Sequence, residues 1–279
     1  MTARVRLASD LSLEIDCEAS GIETIIDRLS WDSARTSDVA GRVRIRPDPR
    51  AARIHLRVGD PAKGISWRDD CSGAVELNGG LASVELDDRG TLSAELGVDP
   101  DNAFEPTLRM VRLAAELVLA VRGSAVLHAA SVVVDGRAWL LMGESGAGKT
   151  TTARRLGREG AFRIADDTVL FRFADQTVEP FVLDRGGWLP GRRGARWPLA
   201  GALAVEKGAD TTGLAGPVGH PLRTWLAAVF APSLPPRPRL ALMEALGRQA
   251  QRSAPVRFQV APSGPILDVL RAPSVVERG

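Results

Sequence analysis

Apolar and polar residues alternate with a period of two through most of the first hundred positions. Arg4-Val-Arg-Leu, Leu11-Ser-Leu-Glu-Ile, Val43-Arg-Ile-Arg, Arg53-Ile-His-Leu-Arg-Val, Ala74-Val-Glu-Leu, Ser83-Val-Glu-Leu and Thr91-Leu-Ser-Ala-Glu-Leu each put apolar side chains on one face of a strand. Pro47-Asp-Pro, Gly59-Asp-Pro, Asn78-Gly-Gly and Asp87-Asp-Arg-Gly separate them as turns. The pattern predicts an antiparallel sheet with one packed and one wet face. The period then changes. From Glu105-Pro-Thr, Leu108, Val111, Leu113, Leu117, Leu119 and Val121 make a strongly apolar helix that starts with Pro106 in its first turn, ends at Gly123 and lies beneath a sheet.

Beyond it the apolar runs are longer and less alternating, as in strands buried on both faces. Ala125 to Val134 and Arg137 to Met142 read as two such strands joined by the hairpin dipeptide Asp135-Gly136. The second runs into a glycine-rich loop, followed by a helix from Lys149 to about Arg158, then Gly160, then a strand from Phe162 to Ala165 that ends in Asp166-Asp167. Strand, loop, helix, strand is the skeleton of a phosphate-binding α/β unit. Further on come a Gly/Arg/Pro-rich stretch from Asp184 to Pro198, a strand at 202–206, a helix at 220–230, a proline-rich break, a helix at 239–252 and a strand at 256–260. The division expected is a mainly β domain over residues 1–104 and a second domain over 105–279.

Composition narrows the function classes. The 279 residues carry 36 Lys+Arg against 34 Asp+Glu, and the net charge of +2 argues against a dedicated nucleic-acid or polybasic membrane binder. Tyr is absent and aromatics make up 5%, so no base-stacking platform is available. Cys17 and Cys71 lack metal-ligand spacing and read as reduced thiols. Met1 to Glu14 does not run charged-then-apolar, and no apolar stretch reaches bilayer-spanning length, so a cytoplasmic protein is expected. Only Lys63, Lys149 and Lys207 are lysines, which makes each one informative in an arginine-rich chain.

Lys149 has the clearest reading. Gly143, Glu144, Ser145, Gly146, Ala147, Gly148, Lys149 and Thr150 fit G-x-x-x-x-G-K-[ST] at every fixed position, with Thr151 following, between an apolar strand and a helix. Glycines let successive N–H groups converge on phosphate oxygens, and the helix N-terminus adds partial positive charge. Lys149 would neutralise the β- and γ-phosphates and Thr150 would ligate magnesium. No N-K-x-D guanine-reading motif and no L-S-G-G-Q signature is present. Asp184-Arg-Gly-Gly matches D-x-x-G only formally, within an Arg/Gly-rich stretch.

Asp166 and Asp167 end a strand beside the loop, and adjacent strand residues point to opposite faces, so the two carboxylates can take different jobs: one on a metal, the other on an attacking hydroxyl. His128, in Val126-Leu-His-Ala-Ala, would alone read as a core histidine at the start of the strand before the loop strand. Its spacing changes that: Lys149 follows His128 by 21 positions and Asp166 follows Lys149 by 17.

These intervals, with the order Leu-His, strand, Gly-x-Ser-Gly-x-Gly-Lys, helix, strand, Asp-Asp from His128 to Val169, resemble the catalytic core of the HPr kinase/phosphorylase family, whose nucleotide core is in turn similar to that of the ATP-dependent PEP carboxykinases. The resemblance implies an α/β fold with a P-loop kinase core of the HPr kinase/PEP carboxykinase type behind the N-terminal, mainly antiparallel β domain. It implies a kinase that uses ATP and Mg2+ on a serine hydroxyl of a peptide or protein. Asp166 would be the general base, Asp167 would assist the metal with Thr150, Lys149 would bind phosphates, and His128 would tune Asp166 by hydrogen bonding. The chain differs from the family in lacking an equivalent of the E-V-R-G-L-G signature and in having Thr150-Thr151 where Ser-Glu is common. These differences point away from HPr itself and from pyrophosphate-driven reversal. They point toward the HPr-kinase-related proteins of bacterial peptide natural-product clusters, some of which phosphorylate precursor peptides.

The partner expected is therefore a peptide or protein acceptor, with no nucleic acid and no membrane; a homo-oligomer is compatible with the sequence. A small-molecule kinase with the same machinery, and a non-catalytic nucleotide-binding regulatory module, are the alternatives. Arg185, Arg192 and Arg193 are further candidates for clamping transferred phosphate.

Overall fold

The computed structural model describes residues 2–6, 11–18, 38–48, 50, 66–77, 80–87, 89–99, 101, 103–181, 195–207, 212–230 and 234–272. It is a mixed α/β protein with two mixed sheets and, among the described residues, five helices. The chain divides into two compact units, residues 1–122 with 231–240, and residues 123–230 with 241–279.

The first unit is built on seven strands: β1 (Thr2–Arg6), β2 (Leu11–Cys17), β3 (Asp38–Pro47), β4 (Ser66–Trp67), β5 (Ser72–Leu77), β6 (Gly80–Leu86) and β7 (Leu92–Val98). Their spatial order is β1-β2-β3-β7-β6-β5-β4. The alternation read from the sequence is realised. Leu13, Ile15, Val43, Ile45, Val84, Leu92, Leu96 and Val98 are buried on one face, against which helix α1 (Phe104–Val121) packs through β3 and β7. The other face is a ladder of charge, with Arg42 2.7 Å from Glu14, Arg44 3.6 Å from Glu95 and Arg46 3.4 Å from Glu18. Many of this unit's arginines thus answer acidic neighbours across strands.

The sheet is mixed, which corrects the expectation of a purely antiparallel one. β2 runs parallel to β3 and β3 parallel to β7, with Ile15 opposite Val43 and Val43 opposite Ala94. Alternation fixes which side chains are buried, and it is the same for either direction of the neighbouring strand. The Asp87 turn forms, with the Gly90 N–H donating to the Asp87 carbonyl at 2.9 Å. The Arg53–Val58 strand and the Gly59 turn lie outside the described residues, as do parts of the Pro47 and Asn78 turns.

The second unit carries a nine-stranded sheet from β8 (Ser124–His128), β9 (Ala130–Val134), β10 (Arg137–Met142), β11 (Phe162–Ala165), β12 (Thr168–Arg172), β13 (Thr177–Pro180), β14 (Trp197–Lys207), β15 (Gly213–Pro217) and β16 (Val256–Val260). Its main path is β11-β9-β10-β14-β13-β12-β8, and β16 adds to β14. Asp135 and Gly136 both take positive φ, 49° and 79°, as a two-residue hairpin requires. Helix α2 (Lys149–Arg158) buries Ala153 and Leu156 against Val132, Leu141, Leu203 and Phe258. The unit also contains α3 (Pro221–Ala228), the later part of α4 (Pro236–Arg252) and α5 (Leu267–Arg271). Trp225 of α3 is fully buried and tilted on Phe171, ring centroids 5.4 Å apart.

The run from Ala125 to Val134 is two strands rather than one. β8 ends at His128, Ala129 interrupts, and β9 begins at Ala130. The antiparallel partner breaks at the same level: β12 places Thr168 opposite His128 and β11 places Ala165 opposite Ser131, in one continuous register. Between these two pairs lie Ala129-Ala130 on one side and Asp166-Asp167 on the other. No helix among the described residues is long and apolar enough to cross a membrane.

Candidate functional site

The glycine-rich loop lies between β10 and α2. Gly143, Gly146 and Gly148 all take positive φ, at 142°, 80° and 102°, conformations that L side chains rarely adopt. The backbone therefore favours glycine at the motif's two fixed glycine positions, Gly143 and Gly148, and at Gly146 between them. Gly148 is also the N-cap of α2. No side chain caps the helix and no acidic residue occupies its first turn, which leaves its leading N–H groups without a side-chain acceptor.

Lys149 is buried, and its Nζ donates to the Gly143 carbonyl at 2.8 Å and the Glu144 carbonyl at 3.2 Å. The ammonium thus lies across the hollow that the loop encloses. Burial holds it below its ordinary value of 10.5, and the nearby Asp167 carboxylate pulls the other way. Glu144, Ser145 and Gly146 are exposed at the loop's crest, Ala147 and Gly148 are half-buried, and Thr151 is exposed. The Thr150 hydroxyl donates to the Asp166 carbonyl at 3.1 Å, which ties the start of α2 to the Asp166-Asp167 bend.

The two aspartates have different partners. Asp166 is 8% exposed. Arg163 Nε donates to its Oδ1 at 3.1 Å, Arg163 Nη2 donates to its Oδ2, and Arg154 Nη2 lies 3.6 Å from the same oxygen. Asp167 has a 41% exposed side chain; His128 Nδ1 lies 3.2 Å from its Oδ1, and the Thr168 hydroxyl donates to its Oδ2 at 3.2 Å. His128 Nδ1 thus stands beside Asp167, next to the Asp166 that the resemblance implies as its partner. The shared break in the two strands accounts for this, since His128 ends β8 directly opposite Thr168 and so meets the carboxylate next to Thr168. The Phe230 ring, 5.6 Å away and nearly perpendicular, closes one side of the imidazole.

His128, Lys149, Thr150, Asp166 and Asp167 are thus brought together around the loop, whereas Arg185, Arg192, Arg193 and the Asp184 motif lie outside the described residues. Arg163 and Phe230 belong to the site and were not singled out in the sequence. A signal for Arg163 exists in hindsight: Gly157 sits inside α2, where glycine is unfavourable by about 0.5–1 kcal/mol relative to alanine. A Cβ there would stand 2.9 Å from Arg163 Cδ. Nothing in the sequence marks Phe230.

No family model matches the chain, and no curated protein matches it.

Proposed function

We propose that the second unit is an ATP-dependent phosphotransferase that moves the γ-phosphoryl group of ATP to a hydroxyl, serine of a peptide or protein being the acceptor class. The observation that carries this reading is the Asp167–His128 pair standing beside a glycine loop whose lysine feels the Asp167 charge. A loop alone would serve a binding module; a partly exposed carboxylate with an imidazole behind it serves proton transfer. The likeness to the HPr kinase core rests on these same residues and leads to the same reaction.

The chemistry follows from the residues. The acceptor hydroxyl gives its proton to Asp167 as its oxygen bonds to the γ-phosphorus, and the bond from that phosphorus to the bridging oxygen breaks, with the electron pair leaving on ADP. His128 orients the Asp167 carboxylate and stabilises the charge it carries. Lys149 neutralises the phosphate tail, and the uncapped amides of α2 hold phosphate oxygens. Asp166, clamped by Arg163 and Arg154, shapes the bend rather than taking the proton. This assignment moves to Asp167 the proton-accepting role that the resemblance implies for Asp166.

Magnesium fits the donor set. The Thr150 hydroxyl and the carboxylate at Asp167 are hard oxygen donors at the loop, the chemistry Mg2+ takes together with phosphate oxygens and waters. Thr150 is the better ligand, because both Asp167 oxygens already face His128 and Thr168. When bound, the ion would supply charge neutralisation on the β- and γ-phosphates.

The test is to incubate the chain with MgATP and serine-containing peptides, including those encoded beside it in its genome, and to weigh the peptides. A gain of one phosphate on serine is expected. Phosphorylation confined to small metabolites would replace the acceptor class, and binding without any turnover would leave a regulatory module.

A further inference from the structure

Lys207 is the last residue of β14, and β14 runs parallel to β10 with Ala204 opposite Met142. Both strands therefore deliver their carboxyl ends to the same edge of the sheet, the edge at which open α/β sheets bind ligands. The end of β14 flanks the loop closely: a Cβ built on Gly143 would lie 3.4 Å from the Val205 carbonyl oxygen. Two residues later the Lys207 stem lies along Gly148. A Cβ there would stand 3.0 Å from Lys207 Cε and 3.7 Å from its Cγ. Gly148 thus admits a lysine stem as well as the left-handed turn.

The Lys207 side chain is exposed, and its ammonium makes no hydrogen bond or ion pair among the described residues. Among the described residues, a lysine stem laid along Gly148 with no partner for its ammonium has no evident structural purpose. Lys149, by contrast, is buried beneath the loop with its ammonium on two carbonyls. In a chain with three lysines among 36 basic residues, two stand at one loop. Lysine suits the place, because its compact charge on a flexible stem can follow a phosphate that arrives and leaves, where the arginine fork demands fixed geometry.

We infer, building on the nucleotide reading above, that Lys207 is a second phosphate-binding lysine, contacting the phosphate tail of ATP from the end of β14. The probe is MgATP, titrated calorimetrically into the full chain and into Lys207→Met, Lys207→Gln and Lys207→Arg, each checked for an unchanged melting temperature. Methionine keeps most of the stem that covers Gly148 and removes the charge. The expected result is about tenfold weaker binding in the Met and Gln variants, the loss of one charge-assisted contact. Their affinity should also fall less steeply with added KCl than that of the parent, and the Arg variant should stay within about threefold of the parent. Met and Gln variants that bind within about twofold of the parent, with the same salt dependence, overturn the assignment of Lys207 and leave the loop reading intact. A parent chain that binds no MgATP overturns the loop reading itself, and the role of Lys207 with it.

Discussion

His128 Nδ1 stands 3.2 Å from Asp167 Oδ1, while the neighbouring Asp166 is gripped by the forked guanidinium of Arg163. Adjacent carboxylates with such different partners should fail differently. Asp167→Asn keeps the shape and loses the proton acceptor, so phosphoryl transfer should drop by about two to four orders of magnitude with MgATP affinity nearly unchanged. Excess magnesium should not restore it. Asp166→Asn should retain most of kcat per folded molecule. Single-turnover transfer by both variants checks this, and a parental rate in Asp167→Asn would remove Asp167 from the chemistry.

Arg163→Ala leaves the Asp166 charge buried with, among the described residues, the more distant Arg154 as its remaining ion-pair partner. Breaking a buried pair from one side commonly costs about 3–5 kcal/mol; with Arg154 retained, the loss should be about 2–4 kcal/mol. Urea unfolding measures it. Gly157→Ala should act through the same pair, because the new methyl would meet Arg163 Cδ at 2.9 Å. Although alanine is the better helix former, this variant should be less stable than the parent. A stabilised Gly157→Ala would mean that Arg163 moves aside at no cost.

The loop, its flanking strand and helix, and the Asp135-Gly136 hairpin were legible because each rests on local chemistry: positive φ, an uncapped helix start, a turn dipeptide. Three things were not. Parallel pairing of β2, β3 and β7 leaves no trace in strands that alternate as antiparallel ones do. The split at Ala129 is hidden because Ala129 and Ala130 are as buried as the strands on either side. The partner of His128 depends on register across β8 and β12, which join residues 40 positions apart, Thr168 and His128. Spacing placed His128 near the Asp166-Asp167 pair and could not choose between two neighbouring carboxylates.

Glu116 offers a test of the first unit. It is buried on α1, with Arg112 Nε donating to its Oε1 at 2.8 Å. Burial raises its carboxyl above the ordinary 4.5, and the Arg112 hydrogen bond opposes this without cancelling it. A carboxyl raised on folding opposes folding once it ionises. That cost is absent below the unfolded value near 4.5 and grows as the pH climbs through the folded one. Glu116→Gln removes the ionisation, so relative to the parent it should be more stable at pH 7 than at pH 4. Urea midpoints at the two pH values read the difference; an equal gap at both would show that the charge of Glu116 carries no net cost.

Lys149 makes the corresponding prediction for the site, with the sign worked from its own shift. Burial lowers its ammonium below 10.5, so as the pH rises the folded chain loses this proton before the unfolded chain does. Between the two values the unfolded state binds more protons, and the stability of the nucleotide-free protein rises slightly with pH. Bound phosphates act in the opposite direction: their negative charge favours the ammonium and lifts its pKa. Nucleotide binding in that window must therefore take up a proton, and affinity must fall as the pH climbs through the lowered value, earlier than an ordinary lysine would allow. Above about pH 8 the terminal phosphate is fully ionised and contributes no titration of its own. Calorimetry in buffers of different ionisation heat counts the protons directly. Uptake of up to one proton is expected in the parent, and none in Lys149→Met, which should also bind MgATP far more weakly. Equal proton counts in the two would place the titrating group elsewhere, and Lys149 would no longer be the cation that the phosphates meet.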